Sequence, residues 1–327
     1  MSYHSTIKDV YTKAATAPDD TLCCVPQSPR YFPGLDIPSI MHQMNYGCGT
    51  TIHLEDMAPP EQTVLYVGVG GGLEALQLAY FARRPGGVIA IDPVAEMRDT
   101  ARRNLELAAE TNPWFDPSFV DIRDGDALDL PLDDESVDVA AQNCLFNIFK
   151  TADAGGDLEQ ALAEMHRVLR PQGRLVMSDP ITPEPLPPHL QDDEVLRAQC
   201  LSGCQTYDRY MAKIVEAGFG AAEVRSRRPY RLLDRHRFDL ERDILLETVE
   251  VCAYKVPVPE DGPCIFTGRT ATWAGPEEQF DDDKGHVLVR GMPLPVCDKT
   301  GNALAAIGDP NIIVSESTWH YAGGGCC

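Results

Sequence analysis

The sequence predicts an α/β fold with an open parallel sheet, because short apolar segments alternate with amphipathic ones. Thr63 to Val69 is rich in β-branched and aromatic residues, as buried parallel strands are. An amphipathic segment, Leu73 to Arg84, follows it and ends at a Pro-Gly-Gly turn, and Val88 to Asp92 is the next apolar run. Repeated strand–helix units of this kind form a parallel sheet that helices cover on both faces.

The alternation continues as far as residue 178. Phe119 to Asp126 is predicted to be a short strand followed by a loop, and the remaining predicted strands are Val137 to Gln142 and Arg174 to Ser178. The remaining predicted helices are Ala95 to Thr111 and Asp157 to Arg170. Residues 61–180 are therefore the predicted central domain. A chain of 327 residues is long enough for such a core and an additional module.

The regions on either side of the central domain are less regular. Residues 1–60 are rich in proline and are predicted to be an irregular lead that carries thiols. A proline-rich linker, Asp179 to Pro188, leads into residues 181–251, and a module rich in proline and glycine occupies residues 252–327. The elements expected there are a helix broken near Ser202 and Gly203, over Asp193 to Ala217, and strands at Glu223 to Arg231 and within Phe238 to Lys255.

Composition narrows the possible partners and compartment. The formal net charge of −22 argues against a nucleic-acid or anionic-membrane partner, since both need basic surface. No signal peptide and no run of about 18 apolar residues is present, so we expect a cytoplasmic protein, by default a monomer. Its eleven cysteines are unlikely to form disulfides in a reducing compartment, and no zinc-ribbon spacing is found, which favours redox or thiol chemistry.

A nucleotide-type cofactor site is predicted from three features in the central domain. Gly68, Gly70 and Gly72 follow the first strand and open a helix, so backbone N–H groups can approach a ligand closely. Asp92 ends the second strand, where an acid can accept hydrogen bonds from ribose hydroxyls. Asp126 lies in a loop suited to an adenine amino group. A dinucleotide-dependent oxidoreductase shares only the first two features.

Three cysteines stand in positions that converge over the mouth of such a sheet. Cys48 precedes the domain in a glycine-flanked turn, Cys144 follows the fourth strand, and Cys200 lies beyond the fifth. Ligands of open α/β sheets bind outside the carboxyl ends of the strands, where these thiols can meet. Thiols beside a cofactor suggest a soft, thiophilic substrate. The alternative is that each is a small buried hydrophobic residue, which we expect for Cys204.

Residues 61 to 180 resemble the class I S-adenosylmethionine methyltransferases. The resemblance includes Arg167 to Gly173, which reads Arg-Val-Leu-Arg-Pro-Gln-Gly. It implies that the glycine turn, Asp92 and Asp126 bind S-adenosylmethionine. One position departs from the family pattern: the first strand usually carries an acid two residues before the first glycine, and here that residue is Tyr66.

The contexts of Cys48, Cys144 and Cys200 resemble those of the arsenic(III) methyltransferases. Pro295 to Thr300 and the paired-cysteine ending resemble that family's C-terminal module, and Met44 to Thr50 is most similar to the branch associated with arsenosugar biosynthesis. The resemblance implies a Rossmann-like class I methyltransferase fold with a smaller C-terminal α+β module. It also implies an arsenic-binding region at residues 181–251.

The resemblance assigns roles to individual residues. It implies that Cys48, Cys144 and Cys200 hold arsenic(III), with Cys24 (favoured over Cys23) as a further thiol that pairs with Cys48 in redox chemistry. Tyr46 and Asn143 would join the cofactor site.

The implied reaction transfers a methyl group from S-adenosylmethionine to arsenite or its thiol adduct, with glutathione or thioredoxin as the thiol reductant. Arsenic(III) is the nucleophile, so no general base is needed. Two alternatives stay open. One is a methyltransferase for another small nucleophile, such as a thiol, amine or carboxylate. The other is a non-catalytic arsenic- or metal-responsive binding protein, which the departure at Tyr66 favours.

Overall fold

The structure, a computed structural model, describes residues 3–19, 22, 30–57, 61–152, 155–321 and 323. The strands are, in chain order, β1 (Val64–Val67), β2 (Val88–Asp92), β3 (Val120–Asp124), β4 (Val137–Asn143), β5 (Leu169–Thr182), β6 (Gln205–Thr206), β7 (Ala221–Leu233), β8 (Ile244–Tyr254), β9 (Cys264–Phe266), β10 (Arg269–Trp273), β11 (Gln279–Asp281), β12 (Val287–Val289), β13 (Leu294–Val296) and β14 (Ile312–Val314). The helices are, in chain order, α1 (Tyr3–Thr16), α2 (Ser39–Gln43), α3 (Leu73–Ala82), α4 (Ala95–Thr111), α5 (Asp157–Val168), α6 (Pro188–Gln191), α7 (Glu194–Ala198), α8 (Tyr207–Glu216), α9 (Arg235–Phe238) and α10 (Asp298–Ala306).

One mixed sheet carries the central domain. Its order is β3-β2-β1-β4-β5-β8-β7-β9, and β6 pairs with the far end of β5. The strands from β3 to β5 are parallel, as the alternation of strands and helices predicts. β8 and β7 then add antiparallel, and β9 pairs parallel to β7. The carboxyl ends of β1, β2 and β4 therefore lie side by side at one edge.

Burial of β1 on both faces shows why its sequence is a continuous apolar run. Leu65 and Val67 pack into one hydrophobic cluster, and Val64 and Tyr66 pack into a second cluster on the opposite face. Successive strand side chains point to opposite faces, so a strand covered on both sides has no solvent-facing position.

Helix α1 contradicts the prediction of an irregular lead. Its buried residues include Tyr3, Ile7 and Ala14, which recur at intervals of about one and two helical turns. This is an apolar stripe of helical period, and residues 3–16 contain neither glycine nor proline. The prolines that dominate residues 26–38 masked this pattern in the sequence.

One further segment differs from the prediction. The expected linker Asp179 to Pro188 begins inside β5, because Asp179 to Ile181 pair with β8. The break predicted near Ser202 and Gly203 is present: two helices, α7 and α8, form there, and Cys200 and Cys204 lie in the segment between them. The sheet extends to Phe266 of β9, across the predicted boundaries at residues 180 and 251, and the functional division of the chain at those residues stays a prediction.

The C-terminal residues form a smaller module of mixed type. β10 pairs with β13 and β14 in an antiparallel three-stranded sheet, and α10 supplies Leu304 to the hydrophobic cluster beneath it. This arrangement agrees with the predicted α+β module. Throughout the described ranges, no helix combines the length and apolar character required to cross a bilayer.

Candidate active site

A cavity of about 330 Å³ opens at the carboxyl ends of β1, β2 and β4. Its walls include the residues after each of these strands, the loop before β1 and one face of α1. The predicted site residues that line it are Tyr46, Gly68, Gly70, Asp92, Asp126, Asn143 and Cys144. Cavities of this size bind small organic ligands and cofactors. The residues predicted to bind the cofactor thus line one cavity at the predicted edge of the sheet, and their contact with a cofactor stays a prediction.

The glycine turn after β1 has the backbone that the prediction requires. Gly68, Gly70 and Gly72 have φ values of 86°, 52° and 85°, in the left-handed region that side chains disfavour. Gly68 and Gly70 line the cavity, whereas Gly72 immediately precedes α3 and does not. A Cβ on Gly71 would lie 2.7 Å from the Cβ of Met44, so the loop before β1 packs directly against the turn.

Asp92 and Asp126 occupy different environments in the same cavity. Asp92 is buried, and its Oδ1 accepts a hydrogen bond from the Val94 N–H at 2.9 Å. Burial raises the pKa of Asp92 to about 6, against the lowering effect of backbone hydrogen bonds from Val94, Val69 and Gly70. Asp126 is exposed, and its carboxylate accepts from the Leu128 N–H at 3.0 Å. Both carboxylates are positioned by backbone donors of their own loops.

Glu74, in the first turn of α3, is the residue that sequence reasoning missed. It lines the cavity although it is only 8% exposed. The Tyr66 hydroxyl donates to its carboxylate, and the Asn143 amide and the Thr51 hydroxyl donate to Oε1 at 2.9 and 3.0 Å. Burial raises the pKa of Glu74 although these donors oppose the rise. Tyr66 was the signal in the sequence that could have pointed to Glu74. Tyr66 stands where the first strand of the family usually carries an acid, and Glu74 is an acid on the helix that follows that strand.

Asn143 connects this carboxylate to the Cys48 loop. Its Oδ1 accepts from the Cys48 N–H at 3.0 Å, and its Nδ2 donates to the Gly49 carbonyl at 2.9 Å. A Cβ on Gly47 would lie 2.3 Å from the Asn143 amide, so only glycine fits there. Asn143 therefore holds the Cys48 loop in place, and a direct contact with the cofactor stays a prediction.

Cys48, Cys144 and Cys200 come together behind the cavity wall. Hydrogen bonds with the Cys200 and Cys48 thiols, together with burial, raise the pKa of Cys144. The Cys200 thiol donates to the Cys144 carbonyl at 2.6 Å, and Cys48 Sγ lies 3.4 Å from Ser178 Oγ. Cys144 alone of the three lines the cavity. The three thiols are thus buried, hydrogen-bonded groups, each at most 5% exposed.

Backbone strain accompanies two of these cysteines. Cys144 has φ 61° and Cys200 has φ 58°, both in the left-handed region that non-glycine residues rarely adopt. Such conformations cost of the order of 1–3 kcal/mol each and persist where the surrounding structure enforces them. With these backbone conformations, both cysteines lie in the same buried space between β4 and the loop after α7, where the Cys200 thiol contacts the Cys144 carbonyl.

Tyr11 of α1 lies between the cavity and the thiols and was also missed. It lines the cavity, its hydroxyl donates to the Ala198 carbonyl at 3.2 Å, and it contacts the Cys200 thiol. Burial and the neighbouring Cys200 and Cys144 raise the pKa of Tyr11. The helical stripe of α1 was the feature from which this position could have been found.

Of the other described cysteines, Cys204 adjoins this group, because its thiol donates to the Cys200 carbonyl at 3.4 Å. Cys24, like Cys23, lies outside the described residues. Cys252 lies near the Arg225–Asp56 ion pair, away from the three thiols. Within the described ranges, no three or more His, Cys, Asp or Glu side chains are arranged to hold a metal ion as they stand. A soft ion bound by the three thiols therefore has to break the hydrogen bonds that these thiols now make.

Comparison with known proteins identifies the central domain. The model of a methyltransferase domain family matches residues 65–177, and a family described as a domain of unknown function (DUF8838) matches residues 260–308. An arsenite methyltransferase of Halobacterium salinarum is 34% identical over 181 residues, which are 55% of this chain and 43% of that protein. An arsenite methyltransferase of Aquipseudomonas alcaligenes is 27% identical over 266 residues, 79% of this chain and 73% of that one. The chain thus spans less than half of the Halobacterium protein.

A solved structure shows the same fold. The crystal structure of an arsenic(III) S-adenosylmethionine methyltransferase from Chlamydomonas reinhardtii matches with a TM-score of 0.59 at 21% identity, covering 90% of this chain and 99% of that one. The predicted Rossmann-like class I methyltransferase fold is confirmed. Residues 65–177 match the methyltransferase domain family, and the chain is similar to proteins named arsenite methyltransferase.

Proposed function

We propose that this protein transfers a methyl group from S-adenosylmethionine to trivalent arsenic held by the thiolates of Cys48, Cys144 and Cys200. One observation carries the proposal: three buried thiols meet behind a cofactor-sized cavity, and Cys144 reaches its wall. Arsenite methyltransferases are among the relatives, which supports the same substrate. The arsenosugar branch, the cytoplasmic location and the monomeric state stay predictions.

The cavity suits the cofactor because its charges match those of S-adenosylmethionine. We assign Asp92 to the ribose hydroxyls, Asp126 to the adenine amino group and Glu74 to the ammonium of the methionine end. Bound there, S-adenosylmethionine supplies an electrophilic methyl group on a sulfonium. Glu74 takes the place of the strand acid that Tyr66 replaces, and the Tyr66 hydroxyl orients it.

The thiols provide affinity and position. Arsenic(III) is soft and prefers thiolate ligands, which also gives selectivity over oxyanions such as phosphate. Three thiolates complete its pyramidal coordination and leave its lone pair free to attack a methyl group. Positioning the reactants in this way can contribute about 7–11 kcal/mol. The strained backbones of Cys144 and Cys200 fix two of the three ligands.

Methylation raises arsenic from the trivalent to the pentavalent state, so two electrons must return before another methyl transfer. We assign this reduction to Cys48 and Cys24: two thiols form one disulfide and release two electrons and two protons. Glutathione or thioredoxin then reduces the disulfide by thiol–disulfide exchange. Cys144 and Cys200 would remain the fixed ligands.

The function is tested by incubating the purified protein with arsenite, labelled S-adenosylmethionine and glutathione, and separating the products with arsenic-specific detection. We expect labelled methyl groups to elute with arsenic. Label on the sulfur of glutathione instead would establish a thiol methyltransferase. No label transfer, with the cofactor bound, would refute the enzyme and leave a binding protein. Cys252→Ser serves as a matched control, because this buried cysteine lies away from the site.

A further inference from the structure

Asp179 of β5 is a fully buried carboxylate next to the turn that carries Cys144. Its Oδ1 accepts a hydrogen bond from the Phe146 N–H at 3.2 Å, and its Oδ2 accepts from the Tyr210 hydroxyl at 2.7 Å. The Gln142 amide also donates to Oδ2. These donors are neutral, and in the described part of the chain no Lys, Arg or His nitrogen lies within 4.0 Å of the carboxylate. Hydrogen bonds alone therefore hold the charge of Asp179 in the interior.

The side chains of Gln142 and Asp179 also fix the turn after β4. Cys144 has φ 61°, and its own N–H donates to the Ser178 carbonyl at 2.7 Å. The next N–H, that of Leu145, donates to Gln142 Oε1 at 2.8 Å, and the one after it donates to Asp179. Three successive N–H groups of the turn are thus paired with β5 or with the Gln142–Asp179 pair. The carboxylate consequently has a fixed position relative to Cys144.

Asp179 lies on the thiol side of the site rather than on the cofactor side. It is absent from the walls of the cofactor cavity. The Tyr210 hydroxyl, which donates to it, is an electrostatic neighbour of both Cys48 and Cys144. The preceding residue, Ser178, contacts the Cys48 thiol, with Oγ and Sγ 3.4 Å apart. An arsenic atom on these thiols would therefore lie in the electrostatic field of the Asp179 carboxylate.

The transfer of a methyl group to arsenic moves a positive charge towards the thiols. The arsenic lone pair forms the new As–C bond, and the electron pair of the breaking S–CH₃ bond stays on sulfur. The charge thereby leaves the sulfonium, and arsenic held by three thiolates changes from a neutral to a cationic centre. A fixed negative charge on the arsenic side interacts more strongly with this transition state than with the bound reactants, which is the condition for electrostatic catalysis.

We propose that Asp179 accelerates methyl transfer by stabilising the positive charge that develops on arsenic. This inference rests on the proposed function. The carboxylate acts through space, from behind the turn of Cys144, and its place is fixed before the reaction by the Phe146, Tyr210 and Gln142 donors. Burial raises the pKa of Asp179 to about 7 although these donors oppose the rise, so the charged form predominates at pH 8.

The test measures single turnovers at pH 8, with arsenite bound to the protein before S-adenosylmethionine is added. Asp179→Asn removes the charge and keeps an oxygen for the Phe146 N–H, and the rate of methyl transfer should fall about 10- to 100-fold. Combining Asp179→Asn with Gln142→Glu returns a carboxylate to the pair with its donor and acceptor exchanged, and should restore the rate to within about fivefold of the wild type. Asp208→Asn, at an exposed acid of α8, is the matched control and should leave the rate unchanged.

X-ray absorption and cofactor titration distinguish a lost charge from a damaged site. In Asp179→Asn, arsenic should keep three sulfur neighbours, and the Kd for S-adenosylmethionine should stay within about threefold of the wild type. An unchanged rate in this variant would overturn the proposal. A slower rate with a sulfur neighbour lost, or without recovery in the double variant, would overturn it as well, because Asp179 would then only support the fold of the site. If the wild type transfers no methyl group to arsenic, the proposed function fails and the role of Asp179 falls with it.

Discussion

Replacing Glu74 with glutamine tests whether this helix residue substitutes for the strand acid that Tyr66 displaces. The carboxylate is 8% exposed and accepts from Tyr66, Asn143 and Thr51. A hydrogen bond between charged groups is worth about 1.5–3 kcal/mol, which corresponds to roughly 10- to 150-fold in affinity. The glutamine carbonyl can still accept from Asn143 and Thr51, so those two hydrogen bonds are kept, while the amide nitrogen replaces the oxygen that accepts from Tyr66. We expect the Kd for S-adenosylmethionine to rise about 10- to 100-fold.

Comparing two ligands separates the contribution of the ammonium group from that of the nucleoside. S-adenosylmethionine has both groups, whereas methylthioadenosine keeps the nucleoside and lacks the amino acid. Isothermal titration should show that Glu74→Gln weakens the first and leaves the second within twofold. Glu106→Gln, at an exposed acid of α4, is the matched control. Because burial raises the pKa of Glu74, the charged form is penalised in the folded state, and we expect Tm without ligand to be unchanged or higher. Equal weakening of both ligands, or of neither, would refute the assignment.

Four further outcomes follow from the same structure. Burial raises the pKa of Asp92 to about 6, so protonation below that pH removes a hydrogen-bond acceptor from the cofactor site. The affinity for S-adenosylmethionine should therefore fall about tenfold per pH unit below pH 6 and stay level above it. In titrations across pH, Asp92→Asn should abolish this dependence. Asp56→Asn leaves the buried Arg225 guanidinium short of its main partner and should lower the free energy of unfolding by about 3 kcal/mol in urea, whereas an effect below 1 kcal/mol would contradict the ion pair's structural role. Gly203→Ala places a Cβ 2.1 Å from the Asn147 carbonyl oxygen and should weaken arsenite binding at least tenfold with cofactor affinity retained; equal arsenite binding would show that the loop tolerates the shift. Cys24→Ser should reduce methylation of arsenite more than that of an already methylated trivalent arsenical, and equal loss with both would exclude its role in reduction.

The parts of the fold that the sequence predicted are those with local, periodic causes. β1 and β2 are buried on both faces, so their runs are apolar up to Asp92 at the end of β2, and the turn after β1 needs glycine where φ is positive. The glycine positions and Asp92 were therefore placed correctly. The position of Cys144 at the cavity followed from the rule that the carboxyl ends of parallel strands share one edge.

The parts that were missed depend on contacts between distant segments. Glu74 is one of many acids in the chain, and only folding brings it to Tyr66, Asn143 and Thr51. A second cavity, of about 220 Å³, is lined by segments more than fifty residues apart, from Lys150 after β4 to Arg209 of α8. Helix α1 has an apolar pattern of helical period, but the prolines that follow it favoured the prediction that all of residues 1–60 are irregular.

The central claim is that Cys48, Cys144 and Cys200 together hold trivalent arsenic. X-ray absorption of the protein with one equivalent of arsenite and no added thiol counts the sulfur atoms bound to arsenic. We predict three sulfur neighbours in the wild type and in Cys252→Ser, and two, with an oxygen ligand in place of the third, in Cys144→Ser and in Cys200→Ser. Three sulfur neighbours in both of these variants would contradict the claim, because arsenic would then be held elsewhere.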